Sequence, residues 1–242
     1  MPLRDISLVL TQADPASAHR LIDRHAKELA HRLSVARDLL AAVRRCLDEE
    51  EPDVTFDDAL RQVLPAVGDR GILSSVLVEG LASGVRVVGA DSYRLAIREA
   101  PVVAGLDDGD RILIPADVAR RGGVRMEDGI PAGPFPDYRP VLSHEPRHRL
   151  VVRRATLLEF AERARATVVP LLLGDDVSLG SHALPGRWDG PPLALGVHPG
   201  FLADGLRCLS GDEVQLALTD HCRPIWVRED DFLYLVMPSP LT

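Results

Sequence analysis

The chain has 242 residues, 46% of them hydrophobic and 26% charged, with a formal net charge of −8. That composition belongs to a folded globular protein and excludes a low-complexity or collagen-like chain. It also argues against a protein that grips DNA along its whole surface, which usually needs a basic face.

No run of about 18 apolar residues occurs, so no membrane-spanning helix is expected. The opening MPLRDISLVL lacks the basic start and long apolar core of a signal peptide, and a cytoplasmic location is expected. The three cysteines, Cys46, Cys208 and Cys222, are far apart and show no metal-ligand spacing. No metal site and no cofactor are expected, and His221-Cys222 reads as a strand-end pair in a reducing compartment. Residues 1–50 carry eight basic and eight acidic side chains, so the whole acidic excess lies in residues 51–242.

Residues 2–11 form a short amphipathic helix candidate. Asp14-Pro15 then reads as an N-cap followed by proline at the first helical position. From Pro15 to Glu49 the pattern is one long helix. Ala26, Leu33, Leu40 and Leu47 recur every seven residues, with Leu29, Ala36 and Val43 three residues after the first three. This is a coiled-coil seam. A helix of that length spans about 50 Å and needs a partner for its stripe, either a second copy or its own domain. Self-pairing into a homodimer through residues 15–49 is the preferred expectation. The acidic stretch DEEEPD (48–53) marks a boundary, which makes residues 1–50 a helical dimerisation stalk.

Thr55 with Asp58 three residues on predicts a capped helix over 56–67. The period then changes to extended. Residues 72–80, 85–90, 93–100 and 111–115 read as strands joined by short Gly- and Asp-containing links, and 115–123 as a short helix with a glycine stop. Residues 126–146, rich in Pro and Gly, form a crossing. Beyond it come a strand (150–154), a helix (155–168), short strands in PLLLG and VSLGS, a loop HALPGRWDGPP, a strand (193–197), a helix (198–209) and strands at 213–219, 224–229 and 232–238. A helix followed by a meander, occurring twice, indicates an internal repeat. The fold class expected is α+β, with helices on one face of antiparallel sheets, in two domains, 54–130 and 131–242.

Signals for catalysis are weak. No GxSxG nucleophile elbow appears, and GLASGVRVVGA is followed by neither lysine nor helix, so it is no phosphate loop. Asp91 is most simply a turn residue capping its own backbone. Asp107-Asp108-Gly109-Asp110 lacks the remaining ligands of a calcium loop. The chain reads as a binding protein rather than an enzyme.

Three segments resemble the bacterial DNA polymerase sliding clamp (β subunit): VVGADSYRLAIRE (87–99), PFPDYRPVL (134–142) and GDEVQLALTDHCRPIWVREDDFLYLVMP (211–238). They fall in the right order and spacing and correspond to the clamp's second and third domains. The resemblance implies two DNA-clamp domains behind the stalk. It also implies a hydrophobic cleft between them for short peptide motifs, lined by Leu73, Tyr93, Arg94, Leu95, Leu235, Val236, Met237 and Pro238. Ala90, Ser92 and Tyr93 depart from the family's usual Thr, Gly and His, and Tyr93 is the bulkier residue. Clamps line their hole with basic helices. Here the helices at 56–67 and 199–209 are not basic, and Arg120, Arg121, Arg153, Arg154, Arg163 and Arg165 are the better candidates.

Residues 2–48 resemble the dimerisation helix of the MerR family of transcription regulators. In that family an N-terminal winged helix-turn-helix contacts DNA, and this chain does not carry one. The function expected is the effector and dimerisation part of a MerR-type regulator whose clamp-like domains bind a peptide or small-molecule ligand. The alternative is a sliding-clamp-like replication accessory that binds DNA and polymerase peptides.

Overall fold

A computed structural model of the chain describes residues 54–164 and 166–241. The stalk, with its seam of Ala26, Leu29, Leu33, Ala36, Leu40, Val43 and Leu47, lies outside the described residues, as do the helix candidate at 2–11 and Arg165.

Helix α1 (Phe56–Val63) starts where the sequence places it: Thr55 accepts from the Asp58 amide, and the Asp58 carboxylate accepts from the Thr55 amide. It is shorter than the expected 56–67. Pro65 has no N–H to donate to Arg61, and the chain tightens into a 3-10 turn over Leu64–Ala66. A second 3-10 turn, Gly71–Ser74, takes the first residues of the expected strand 72–80. The meander follows: β1 (Ser75–Leu81), β2 (Gly84–Ala90) and β3 (Arg94–Ala100), with β4 (Arg111–Pro115) returning beside β1, then α2 (Ala116–Arg121) and the two-residue β5 (Ile130–Pro131).

The rest of the chain runs twice through strand, helix and three strands. The first pass is β6 (His148–Arg153), α3 (Arg154–Arg163), β7 (Val169–Leu173), β8 (Ser178–Leu179) and β9 (His182–Ala183). After β10 (Gly186–Asp189) the second is β11 (Leu193–Val197), α4 (Pro199–Arg207), β12 (Glu213–Leu218), β13 (Ile225–Glu229) and β14 (Phe232–Val236). The opening strands are exchanged: β6 joins β12-β13-β14, and β11 joins β7-β8-β9. Helix α3 stops at Arg163, well short of the expected residue 168, because Val168 and Val169 are β-branched and Pro170 follows in β7. The segment HALPGRWDGPP is not a plain loop. It supplies β9 and β10, and Trp188 sits opposite Leu150 with its indole N–H donating to Pro191 O at 2.9 Å.

The larger sheet has ten strands in the order β10-β6-β12-β13-β14-β3-β2-β1-β4-β5. Its two inner quartets, β6-β12-β13-β14 and β4-β1-β2-β3, have the same pattern and meet through their last strands. The junction is antiparallel, with Phe232 opposite Arg98 and Val236 opposite Arg94. Bonds from Met237 N to Tyr93 O (2.8 Å) and from Glu99 N to Asp231 O (3.3 Å) extend it at both ends.

The four helices among the described residues pack into one apolar core with one face of this sheet, where Leu60, Ile114, Leu157, Leu202, Leu206 and Tyr234 are fully buried. Two glycines let helix and sheet approach. A Cβ at Gly89 would stand 2.3 Å from Val63 O, and one at Gly205 would stand 2.4 Å from the Tyr234 ring. On the other face the crossing lays Phe135 and Tyr138 over Leu77, Val88, Leu95, Ile97, Trp226 and Leu235. A row of charge also crosses that face, with Arg111, Glu79, Arg86 and Glu99 in successive register on four strands. Glu79, 4% exposed, accepts from the Tyr138 hydroxyl and from Arg139 at 2.8 Å.

The link from α4 into β12 is held by Glu229, whose carboxylate accepts from the amides of Ser210 (2.8 Å) and Gly211 (2.7 Å). Burial works against its charge, but these amide bonds, the Ser210 hydroxyl and nearby Arg154 outweigh it and hold its pKa below the ordinary 4.5. A depressed folded-state pKa gives stability that is complete above the unfolded value and lost as pH falls through the folded one. Unfolding free energy against pH therefore falls below about 4.5 in the native protein. In Glu229→Gln that acid limb is shallower, measured by urea titration at a series of pH values.

Candidate functional site

The strand junction carries the candidate site. Before β3 the chain turns on Asp91, whose Oδ1 accepts from the amides of Tyr93 (2.7 Å) and Arg94 (2.6 Å). Asp91 is thus the backbone-capping turn residue its sequence suggests. The turn aims Arg94 along the helix face of the sheet. Arg94 Nε meets Asp91 Oδ2 at 2.9 Å and Nη1 meets Asp204 Oδ2 on α4 at 2.8 Å. Its guanidinium lies 4.2 Å from the centroid of the Phe201 ring. Burial opposes the charge on Arg94, but Tyr234 and Asp91 beside it outweigh that and raise its pKa. Asp204 also binds Arg207 at 2.9 Å, and Arg207 binds Glu162 on α3 at 2.9 Å. Asp91, Arg94, Asp204, Arg207 and Glu162 form one alternating relay across the junction.

An aromatic platform stands beside the relay. His198 caps α4 by accepting from the Phe201 amide at 3.2 Å, and its ring stacks on Phe201 with centroids 3.9 Å apart. Tyr93, 59% exposed, stacks on Phe201 at 6.0 Å. Behind His198 a shallow pocket of about 440 Å³ opens between α3 and α4, lined by Ala161, Thr167, Gly200, Ala203 and Arg207.

The pleat divides the eight residues expected to line the cleft. Leu95 and Leu235 are register partners on the outer face, 7% and 2% exposed, and Leu73 packs partly buried against the same cluster. Met237 is two residues beyond Leu235, and its amide joins Tyr93 O; Met237 and Pro238 are both half-buried. Arg94 and Val236 belong to the helix side, where Val236 is wholly buried in the core and offers nothing to a ligand. Leu95 and Leu235, with Trp226 beside them and Leu73 and Leu142 packed against the cluster, are buried in the outer apolar cluster, while Phe201 packs against the core on the helix side. Sequence reasoning missed Phe201, His198, Leu142 and Trp226. The HPGF opening of α4 and the apolar alternation of β13 were the signals for three of them.

The arginines proposed for a DNA-facing surface are placed otherwise. Arg154 turns inward, donating to Gly211 O at 2.7 Å. Arg163 pairs with Glu159 at 3.0 Å and Arg121 with Asp117 at 3.9 Å. Arg120 and Arg153 are exposed. The turn Asp107-Asp108-Gly109-Asp110 is closed by its own backbone, with Asp107 N on Asp110 Oδ2 at 3.0 Å and Gly109 N on Gly80 O at 3.1 Å. Among the described residues no group of three or more His, Cys, Asp or Glu could hold a metal ion. None of the helices there is long and apolar enough to cross a membrane.

This arrangement of sheets and helices is a sliding-clamp-like fold. The chain is similar to the DNA polymerase sliding clamp of Bacillus subtilis (18% identity, TM-score 0.68, covering 80% of this chain and 66% of that one). It is also similar to the clamp of Pseudomonas aeruginosa in complex with griselimycin (20%, TM-score 0.65, covering 80% and 67%) and to the DNA polymerase III β subunit of Thermotoga maritima (18%, TM-score 0.63, covering 80% and 68%). The chain spans 63% to 68% of the length of such clamps. No family model matches the sequence.

Replacing Arg94 by Met leaves the Asp91 and Asp204 carboxylates facing each other across the junction. Arg94→Met lowers unfolding free energy by about 2–3 kcal/mol, less than for a fully buried pair because Asp204 is partly solvated. Asp204→Asn costs less, since Arg94 keeps Asp91; urea denaturation of both variants checks the order.

Proposed function

We propose that the clamp-like body, in two halves at 54–130 and 131–242, is the non-catalytic binding module of a MerR-type transcription regulator. Two chains pair through residues 15–49. The junction takes a short peptide or apolar ligand at the exposed Tyr93 ring beside Phe201 and at the half-buried Leu73, Met237 and Pro238. DNA contact is made elsewhere in the assembly.

The observation that carries this reading is the charge of the helices. The four described helices hold six carboxylates and six arginines. Most of those arginines are consumed by carboxylates on the same or a neighbouring helix. A surface that slides on phosphates needs free cations, because its affinity comes from neutralising them. An exposed aromatic ring beside a guanidinium and half-buried apolar side chains suits a peptide or apolar ligand instead.

The second reading, a clamp-like replication accessory, is favoured by the fold likeness and by the junction, where Arg94, Leu95, Leu235 and Met237 occupy the positions the resemblance assigns to a peptide cleft. Titration of a labelled clamp-binding peptide separates the two, with duplex DNA titrated in parallel at low salt. The regulator reading expects no salt-sensitive affinity for duplex DNA. Peptide binding, where present, weakens at least about tenfold in Tyr93→Ala and Met237→Ala. Tight, salt-dependent duplex binding by this chain overturns the regulator reading in favour of the accessory.

The stalk has its own test. Leu33→Asp with Leu40→Asp puts charge into the seam and converts dimer to monomer by light scattering. An unchanged mass removes the coiled-coil assignment.

A further inference from the structure

Helix α4 begins on a histidine. The residues that usually cap a helix, Ser, Thr, Asp and Asn, offer an oxygen. His198 offers a ring nitrogen instead. Its Nδ1 accepts from the Phe201 amide at 3.2 Å, and its carbonyl accepts from the Leu202 amide at 3.1 Å. Pro199, the first helical residue, has no N–H to be answered. A ring nitrogen accepts only while it carries no proton, so the bond requires a neutral imidazole with its hydrogen on Nε2. Imidazole is the side chain whose charge ordinarily changes between about pH 5 and 8. The Thr55 cap of α1 uses a hydroxyl acceptor, which keeps its lone pairs throughout that range.

The same ring is the closest-stacked partner of Phe201 among the described residues, with centroids 3.9 Å apart and planes 19° from parallel. Phe201 in turn carries the exposed Tyr93 ring at 6.0 Å and the Arg94 guanidinium at 4.2 Å. His198 is half-buried and lines the pocket of about 440 Å³ between α3 and α4, so solvent reaches it and the ring has space to turn into. The charged and titratable groups around this corner are Glu162 on α3, Asp204 and Arg207 on α4, Asp91, Tyr93 and Arg94 at the start of β3, and Tyr234 on β14, whose hydroxyl donates to Phe201 O at 3.0 Å. The three carboxylates are already shared between the two arginines. An imidazolium in the capping position also faces the positive end of α4.

We propose that His198 is a proton switch on the Tyr93–Phe201 ring pair. Neutral, it caps α4 and holds Phe201 by stacking. Protonated, it has no acceptor for the Phe201 amide. The first turn of α4 then loosens, the ring turns into the pocket, and Phe201 loses its closest stacking partner. As regulation of the candidate site this rests on the proposed function. As a property of the fold it does not, and its test uses no ligand.

Gly200-Phe201 is the one Gly–Phe sequence in the chain, so the full chain labelled with carbonyl-13C glycine and 15N phenylalanine reports the Phe201 amide alone by NMR. Exchange of that amide with water is measured from pH 8 to pH 5 and corrected for its intrinsic pH dependence. Protection falls about fivefold across the range, the usual worth of a cap. The Tyr93 ring resonances, identified by their loss in Tyr93→Leu, shift over the same range. His198→Asn caps with an amide oxygen and does not titrate. In that variant the amide is as protected at pH 5 as at pH 8, and the Tyr93 resonances do not move with pH. In His198→Ala protection is low throughout. Native protection that is constant with pH, the same change persisting in His198→Asn, or a Tyr93 ring that does not follow the amide would each overturn the proposal.

Discussion

The structure depends on one antiparallel pairing, β14 against β3. Two quartets of strands share a pattern and meet through equivalent last strands, so a pseudo-twofold relation runs through the junction. Backbone hydrogen bonds alone would permit a slip along the strands, and a one-residue slip would exchange the faces. Several features fix the register. Val236 and Tyr234 must enter the helix-side core while Leu235 enters the outer cluster. Arg94, opposite Val236, must reach Asp204. The relay from Asp91 to Glu162 is therefore a specificity device more than a source of stability, because its members are partly solvated and such pairs contribute little net energy.

Among the described residues the outer face is covered by the crossing rather than by an α-helix. The crossing supplies Phe135 and Tyr138 as a lid over the sheet, and Tyr138 brings a hydroxyl into an apolar cluster. Glu79 answers it, and the charge of Glu79 is answered in turn by Arg139 and by Arg111 at 3.1 Å. Burial and the neighbouring Glu79 both push the Tyr138 phenol upward, so it stays a donor throughout the physiological range. Removing any one member leaves a desolvated group unpaired, which costs more than the bond itself contributes. The crossing is thus tied to the sheet by one polar knot within an otherwise apolar contact.

Much of this was legible in the sequence, for local reasons. The Thr55–Asp58 cap, the Asp91 turn and most strand positions follow from side chains that act on their own backbone or from alternation of period two. Where the sequence misled, a non-local partner decided. Nothing in HALPGRWDGPP announces β10, because Trp188 becomes a strand residue only when β6 is there to pair with it. The exchange of β6 and β11 between sheets is likewise invisible to a reading in chain order. At the candidate site, Tyr93, Arg94, Leu95 and Met237 were assigned by resemblance alone. Their division between two faces needed the register, and Val236 was misjudged for the same reason. Phe201 was missed because its role comes from stacking on residues more than 100 positions away in the chain.

At 18–20% identity the fold likeness concerns the backbone and the inward-pointing pattern, and the surface is free to differ. Among the described helices, Arg61, Arg121, Arg163 and Arg207 pair with carboxylates and Arg154 turns inward, while Arg120 is exposed. Arg94 has its carboxylates supplied by the protein itself, and so it organises the junction.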